Sequence, residues 1–351
     1  MTKNLRIVFF SLLVIMCVVM QIGCDGSSQP SGSAPVWQPI AVPDGGNIGA
    51  LALDRADNRI VYAGSESRGI FKTMNGGDSW TAINTGLTTT IVRSLAIDPA
   101  NNQVVYAGTE NGGVFKTING GTSWTAINTG LTNNRIYALA INPTNSQVVY
   151  SGTEGGGAFK TSDGGISWTA INTGLTTTRV RSLAIDPANL QVVYAGTNGG
   201  GVFKTTDGGA SWNAISIGIT DVNRNIIESL AIDPANSRTI YAGGAGVFKT
   251  TDGGASWMAI NTDIINTGVS GLAIDPVNSR IVYVGTSGAF GGSGGSDNPG
   301  GVFRTTDAGA SWERISTGIT NRSVLALAIN PVNTQLVYAG TENGGVFKTM
   351  E

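Results

Sequence analysis

The stretch Gly201-Val-Phe-Lys-Thr-Thr-Asp-Gly-Gly-Ala-Ser-Trp212 decides the fold, because close copies of it recur along the chain. The string Gly-(Val/Ile/Ala)-Phe-(Lys/Arg)-Thr occurs seven times, and the spacings between its threonines are 44, 44, 44, 45, 55 and 44 residues. Six of the seven tryptophans lie seven residues after such a threonine. Self-similarity at a period of about 20–50 residues is typical of proteins built from stacked structural repeats.

One repeat contains four predicted short strands. In the copy around residue 200 these are strand A at 180–186, strand B at 191–196, strand C at 201–205 and strand D at 211–215. Val, Ile, Thr and aromatic residues fill these segments, and Gly, Pro, Asn and Asp separate them, which favours strands over helices. Such a unit has the size of one β-propeller blade, and stacking blades face to face in a ring would bury the apolar runs of strands A and B.

The chain ends predict how the ring closes. A lone D-like strand, Trp37-Gln-Pro-Ile40, precedes the first repeat, and the last repeat stops after strand C at Thr349. Pairing these two ends would supply the strand that the last blade lacks. We therefore predict an all-β fold, a seven-bladed β-propeller of four-stranded antiparallel blades, whose ring is closed by the N-terminal strand pairing in the last blade.

The composition excludes several classes of function. Of the 351 residues only 13% are charged, and the net charge of −2 argues against a nucleic-acid-binding surface, which needs clustered Lys and Arg. The chain has no histidine, which removes Ser-His and Cys-His nucleophile arrangements and His-ligated zinc. Its two cysteines are Cys17 and Cys24, so the repeats hold no disulfide. We expect no cofactor and no metal.

The first residues have the pattern of an export signal. Lys3 and Arg6 precede an apolar run from Ile7 to Met20, which is shorter than a membrane-spanning helix requires. The run ends in Gln21-Ile-Gly-Cys24, which resembles the lipobox of bacterial lipoproteins and implies lipidation of Cys24; an uncleaved signal anchor is the alternative. We predict a signal peptide at 1–23, a lipid-anchored flexible linker at 24–35 and the propeller at 36–351, exported and held at the cell envelope.

The turn between strands C and D carries a family resemblance. Thr205 to Trp212 and Thr250 to Trp257 match the Asp-box, S/T-x-D-x-G-x-x-W. The chain thus resembles Asp-box (BNR-repeat) propellers, a superfamily that includes sialidases, xyloglucan hydrolases, sortilin-type ectodomains and the propellers of photosystem II assembly factors. The acidic or amide positions of the boxes are Asn75, Asn119, Asp163, Asp207, Asp252 and Asp307, and the tryptophans are Trp80, Trp124, Trp168, Trp212, Trp257 and Trp312.

We interpret the Asp-box residues as structural. An Asp or Asn side chain accepts hydrogen bonds from the amides of its own turn, and glycines supply positive φ values. Asn at two positions shows that a negative charge is not required, and a calcium site needs more oxygens than one box supplies. The regularly placed lysines of strand C and the acidic or amide residues that end strand A lie on this Asp-box face, defined by the A–B and C–D turns. We expect polar contacts within each blade there; an anion-binding cationic ring is the alternative.

The opposite face, which we call the loop face, is formed by the D–A and B–C loops and carries the active site in Asp-box enzymes. Its candidate binding residues are Arg93, Arg135, Arg181, Arg322, Glu110, Glu154 and Glu342. The arginine count suits a sialidase-like site, but Glu110, Glu154 and Glu342 occupy one repeat position and do not form an unlike carboxylate pair. Only Tyr137 and Phe290 are aromatic residues outside the repeat positions and the signal, which is few for a carbohydrate platform.

Two functions follow from these observations. The favoured one is a membrane-tethered, monomeric propeller that binds a protein or cell-envelope component without catalysing a reaction, as the resemblance to assembly-factor propellers implies. The alternative is an exported glycoside hydrolase, sialidase-like or xyloglucan-hydrolase-like, with its site on the loop face. The glycine-rich insertion at 286–300 breaks the symmetry of the sixth repeat and is either a mobile contact arm or a tolerated insertion without a role.

Overall fold

A computed structural model describes residues 35–40, 42, 46–220, 225–261, 263–264, 267–289, 300–321 and 323–350. The chain divides into two units, Met1–Ala34 and Pro35–Glu351, and every described residue belongs to the second. The predicted signal peptide, Cys24 and Arg322 lie outside the described residues, as do Arg224, Phe290 and most of the 286–300 insertion. In the described part of the chain, no helix has the length and apolar character needed to cross a membrane.

The described residues form strands and no helices, and the strands make seven sheets of four. Blade 1 contains β2 (Ile48–Leu53), β3 (Val61–Ser65), β4 (Gly69–Thr73) and β5 (Thr81–Ala82). Blade 2 contains β6 (Val92–Ile97), β7 (Val105–Thr109), β8 (Gly113–Thr117) and β9 (Thr125–Ala126). Blade 3 contains β10 (Ile136–Ile141), β11 (Val149–Thr153), β12 (Ala158–Thr161) and β13 (Thr169–Ala170). Blade 4 contains β14 (Val180–Ile185), β15 (Val193–Thr197), β16 (Val202–Thr205) and β17 (Asn213–Ala214).

The remaining blades follow the same plan. Blade 5 contains β18 (Ser229–Ile232), β19 (Ile240–Gly243), β20 (Val247–Thr250) and β21 (Met258–Ala259). Blade 6 contains β22 (Thr267–Ile274), β23 (Val282–Ala289), β24 (Gly301–Thr305) and β25 (Glu313–Arg314). Blade 7 contains β26 (Val324–Ile329), β27 (Val337–Thr341), β28 (Gly345–Met350) and, from the other end of the described chain, β1 (Val36–Ile40).

The ring is closed as the repeat count predicts. Each A strand contacts the A strand of the next blade, and β26 of blade 7 contacts β2 of blade 1. β1 pairs antiparallel with β28, with Val36 opposite Met350 and Trp37 opposite Thr349. Trp37 is 1% exposed, so the terminal strand is an integral part of the blade. The prediction of a seven-bladed propeller with a composite last blade is confirmed.

The A and B strands differ in burial, although both are apolar. The B strands are buried along their whole length, as in β7 and β15. Most A-strand residues are half-buried, as in β6. The A strands are the innermost strands of the ring and border its central channel, so we find one exposed edge where the sequence pattern predicted burial on both faces.

Tryptophan side chains join neighbouring blades. The indole Nε1–H of Trp124 donates to the Ile83 carbonyl of the preceding blade at 2.7 Å, and Trp212 donates to Ile171 at the same distance. Five of the six box tryptophans and Trp37 make this bond at 2.6–2.7 Å. Trp80, which faces β1, is the exception, because its buried Nε1–H has no partner among the described residues.

The strand-C lysines also join blades, which differs from the predicted contacts within each blade. Lys72 donates to the Gly120 carbonyl in the Asp-box of the next blade at 2.9 Å, and Tyr62 donates to the same oxygen. The Lys72 ammonium also lies 5.0 Å from the centre of the Tyr62 ring. The same lysine bond is made by Lys116, Lys160, Lys204, Lys249 and Lys348. Burial lowers the pKa of Lys72 and raises that of Tyr62 to about 12.

Arg304 replaces the lysine where the next blade has no Asp-box. Blade 7 has the two described chain ends at that corner, so no box carbonyl is available to blade 6. Arg304 instead pairs with Glu313 of its own blade at 2.9 Å. The single substitution in the ring of cations therefore coincides with the single missing turn.

The Asp-box side chains bond within their own turns. Asp207 accepts a hydrogen bond from Thr205 Oγ1 at 2.6 Å, from the Ser211 N–H at 3.0 Å and from the Ser211 hydroxyl at 2.6 Å. Asn75 makes the corresponding contacts with Thr73 and Ser79. The described residues contain no group of three or more Cys, Asp or Glu side chains placed to hold a metal ion.

Candidate binding site at the channel mouth

The inner strands vary from blade to blade at one position. In blade 2 a β-bulge lies between Val92 and Ser94, so that Arg93 falls outside the regular register, and bulges occur at the equivalent point in blades 1, 3, 4, 6 and 7. β-Bulges redirect side chains and are frequent beside functional sites. The residues at this position are Gly49, Arg93, Tyr137, Arg181, Glu228, Ser270 and Leu325.

The positions around the bulge are nearly constant. A buried Val or Ile precedes it and Ala, Ser or Gly follows it in every blade, and a leucine stands two places after it. A cavity of about 310 Å³ is lined by residues from all seven blades, and therefore lies on the ring axis. We call the seven variable residues the channel mouth, and we call the leucines that line the same cavity the leucine ring: Leu51, Leu95, Leu139, Leu183, Leu230, Leu272 and Leu327.

Arginines and glutamates around the mouth are paired with one another. Arg93 bonds to Glu66 of blade 1 and, at 2.6 Å, to Glu110 of its own blade. Glu110 also accepts from Arg135 of blade 3 at 2.8 Å. Because these hydrogen bonds favour the ionised form, the pKa of Glu110 is lowered, first by Arg93. The predicted residues Arg93, Arg135 and Glu110 are thus brought together.

The pairing continues into blades 4 and 5. Glu154 lies 3.3 Å from Arg181 and 3.6 Å from Arg179. Arg181 is also 3.9 Å from Glu228. Counted over both blades and the previous pairs, four arginines face four glutamates, so the formal charges cancel. We call this group of eight residues the ion-pair belt.

Tyr137 lies between two members of the belt. Its ring centre is 4.2 Å from the Arg181 guanidinium carbon and 5.7 Å from that of Arg93. Guanidinium groups over an aromatic ring are attracted by its π-electrons. Arg93 belongs to the blade before Tyr137 and Arg181 to the blade after it, so cations cover the ring that a sugar would need for stacking.

Glu228 is held less firmly than the other acids. No described residue donates a hydrogen bond to its carboxylate, and its side chain is 32% exposed. Burial raises the pKa of Glu228, and the nearby Arg181 opposes that shift only in part. The other half of the mouth, formed by Ser270, Leu325 and Gly49, has no charged side chain.

Two predicted site residues do not join this group. Arg322 lies outside the described residues. Glu342 is exposed in blade 7 and makes no ion pair with a described residue, although it occupies the repeat position of Glu110 and Glu154. The sequence prediction omitted Glu66, Arg179, Glu228 and Tyr137 from the binding set. Comparing the repeats column by column marks the mouth position, because it is the variable residue in an otherwise constant strand start.

Comparisons with known proteins identify the fold. No protein-family model and no curated protein matches the sequence. A GH74 enzyme from Niastella koreensis is similar in structure, with a TM-score of 0.71 and 20% identity, over 89% of this chain and 53% of that one. YCF48 from Cyanidioschyzon merolae has a TM-score of 0.67 and 15% identity, over 90% of this chain and 98% of that one. YCF48 has also been solved bound to a D1 peptide.

A third structure is an extracellular domain from B. thetaiotaomicron, assigned to a hybrid two-component system. Its TM-score is 0.70 at 15% identity, over 90% of this chain and 40% of that one. This chain thus spans about half the length of the GH74 enzyme and less of the extracellular domain. Identities this low establish a shared seven-bladed propeller fold, which occurs here in an enzyme, in YCF48 and in an extracellular domain.

Proposed function

We propose that this protein is an exported propeller, tethered to a membrane through lipidated Cys24, that serves as a non-catalytic binding or assembly platform for a protein or another cell-envelope component. The ion-pair belt carries this proposal. A sialidase-like site needs arginines that are free to bind a substrate carboxylate, whereas Arg93, Arg135 and Arg181 already bind glutamates. A mutually paired, partly buried network holds its side chains in fixed positions and suits recognition of a preformed surface.

Structural similarity to YCF48, which has been solved with a D1 peptide, supports a peptide- or protein-binding role for this fold without naming the partner here. The covered ring of Tyr137 supports the same choice, because sugar-binding sites use exposed aromatic faces. The N-terminal sequence supports export.

The test is crosslinking and affinity capture from intact cell envelopes. We expect the wild-type protein to capture a defined set of partners and the Arg93→Ala/Arg181→Ala double variant to lose them. The matched control is Arg238→Ala/Arg280→Ala, which removes two exposed arginines from A–B turns on the Asp-box face. Equal capture by wild type and by the Arg93/Arg181 variant would refute a platform on the loop face.

A glycoside hydrolase is the second candidate, and one observation favours it. Glu228 has a raised pKa whereas Glu110 has a lowered one, and carboxylates in unlike environments are what acid and base roles require. A panel of fluorogenic sialosides and glucosides, together with xyloglucan oligosaccharides, tests it. Turnover by the wild type that Glu228→Gln abolishes would replace the platform proposal with this one.

A further inference from the structure

The channel mouth contains one carboxylate that its surroundings leave poorly compensated. Glu110 accepts hydrogen bonds from two arginines, with distances of 2.6–3.0 Å. Glu228 accepts none from the described residues, and its nearest cation, Arg181, is 3.9 Å away and closer to Glu154. A half-buried carboxylate without hydrogen bonds is costly, so an external cation at this place would be bound favourably.

The surroundings of Glu228 specify what accompanies that cation. Leu230 follows two residues later in the same blade and belongs to the leucine ring, which lines the cavity with apolar surface. Across the mouth, Ser270, Leu325 and Gly49 offer no charge that would compete for the carboxylate. The cavity therefore presents one acidic group beside an aliphatic wall.

Anionic ligands fit this arrangement poorly. Each arginine of the belt already has a glutamate within 4.0 Å, and Glu228 would repel a second carboxylate. A lysine or arginine side chain matches both features, because its aliphatic stem buries against apolar surface while its head remains charged.

We propose that the channel mouth binds a basic side chain of a partner polypeptide, with the cationic head at Glu228 and the aliphatic stem on the leucine ring. The proposal rests on the proposed platform function and names the chemistry by which the partner is recognised. The variable bulge position then serves as the specificity-determining layer of the ring, since the repeats differ there while the strand positions around it are kept.

The test is a methyl-NMR titration of leucine-labelled protein with Nα-acetyl-lysine methylamide. We expect saturable shifts of leucine methyl signals in the wild type and at least a tenfold weaker affinity for Glu228→Gln. Glu342→Gln is the matched control and should bind as the wild type does. The norleucine analogue, which keeps the stem and lacks the ammonium, should bind at least tenfold more weakly, and the arginine analogue should bind comparably to lysine.

Several results would overturn the inference: no saturable binding by the wild type, unchanged affinity of Glu228→Gln, or equal affinity for the norleucine analogue. Envelope capture separates this failure from that of the platform. Partners that Glu228→Gln retains but Arg93→Ala/Arg181→Ala loses would leave the platform standing and remove the basic-side-chain site. A wild type that captures no partner would remove the platform, whatever the titration shows.

Discussion

At the residue scale, some glycines are required because a neighbouring blade comes too close for any side chain. Gly86 has a φ of +91°, and a Cβ built on it would lie 2.1 Å from the Trp124 carbonyl oxygen. Gly130, Gly174, Gly218 and Gly318 repeat this contact with the tryptophan of the following blade. In blade 5 Asp263 takes the place of the glycine, and its carboxylate accepts the Trp312 N–H at 3.2 Å. The close approach is therefore a joint between blades.

Gly86→Ala should destabilise the fold by roughly 3 kcal/mol or more, because backbone strain and a clash with main chain add together. Gly199 is the matched control. Its φ is +99° but nothing lies within 4 Å of its Cβ position, so Gly199→Ala should cost about 1 kcal/mol from strain alone. Urea denaturation of both variants measures the difference. Equal losses would show that the interblade contact is unimportant.

The Asp-box carboxylates should make stability depend on acid. Hydrogen bonds from Ser211 and Thr205 hold the pKa of Asp207 far below its ordinary value, and Asp163, Asp252 and Asp307 are affected in the same way. A depressed folded-state pKa stabilises the fold above the unfolded pKa of about 4, and this contribution is lost as the pH falls below it.

Asp207→Ala should therefore lower the melting temperature at pH 7, while Asp207→Asn should keep it close to the wild type, as Asn75 and Asn119 fill the same role. The Asn variant should also lose less stability between pH 4 and acid. Melting curves over pH 2–7 provide the measurement, and neither change should alter partner capture. A strong effect of Asp207→Ala on capture would contradict the structural interpretation of the box.

Residue roles at the channel mouth were predictable only in part. Repeat alignment placed Arg93, Arg135, Arg181, Glu110 and Glu154 on one face, and the structure pairs them with each other. The sequence did not reveal that Tyr137 lies between two guanidiniums or that Glu228 lacks hydrogen bonds. Both depend on side-chain directions after a β-bulge, which strand alternation does not encode. Glu342 shows the reverse case, since an equivalent position has no arginine partner among the described residues.

At the element scale, the strands of one blade are tied to the next by a few side chains. Strands predicted at 180–186 and 201–205 match β14 and β16 within two residues, because their apolar patterns are distinct. The D strand, predicted at 211–215, spans only Asn213–Ala214. Ser211 is used by the Asp-box, and beyond Ala214 the Val202 N–H bonds to the Ser216 side chain, so side chains replace strand pairing at both ends.

The tryptophan bond offers a test at this scale. Trp212→Phe should destabilise the protein by about 1 kcal/mol more than Trp80→Phe, because both lose similar apolar area but only Trp212 donates to a neighbouring carbonyl. The Ile171 carbonyl also loses its partner in the first variant. Denaturation midpoints at matched slopes measure the difference. A larger loss for Trp80→Phe would contradict the assignment of an unbonded indole at the joint with β1.

At the scale of the whole molecule, closure of the ring depends on one terminal strand. Deleting residues 36–41 should open blade 7 and sharply lower the melting temperature, since Trp37 is buried and its indole bonds to Ile315 of blade 6. Adding a synthetic peptide of the deleted sequence should restore part of the loss. An unchanged melting curve would show that the ring does not need β1.

The whole-molecule fold was predictable because a constant repeat leaves little freedom. Seven copies of strand C, a spare strand before the first copy and a missing one after the last permit few arrangements other than a closed ring. The channel lining was less predictable, because Leu95 and its equivalents read as buried core in the sequence and line an open channel in the ring. Burial at the centre of a ring is a property of the assembled circle.

The pairing of β1 with β28 has a mechanical consequence. Val36 and Met350 lie opposite each other at the same end of this antiparallel pair. Tension applied between these two points would peel the hydrogen bonds apart one after another, and would not shear five residue pairs together. The circle thus resists heat through its many joints, yet yields to a small pull at the one place where force enters along both strands.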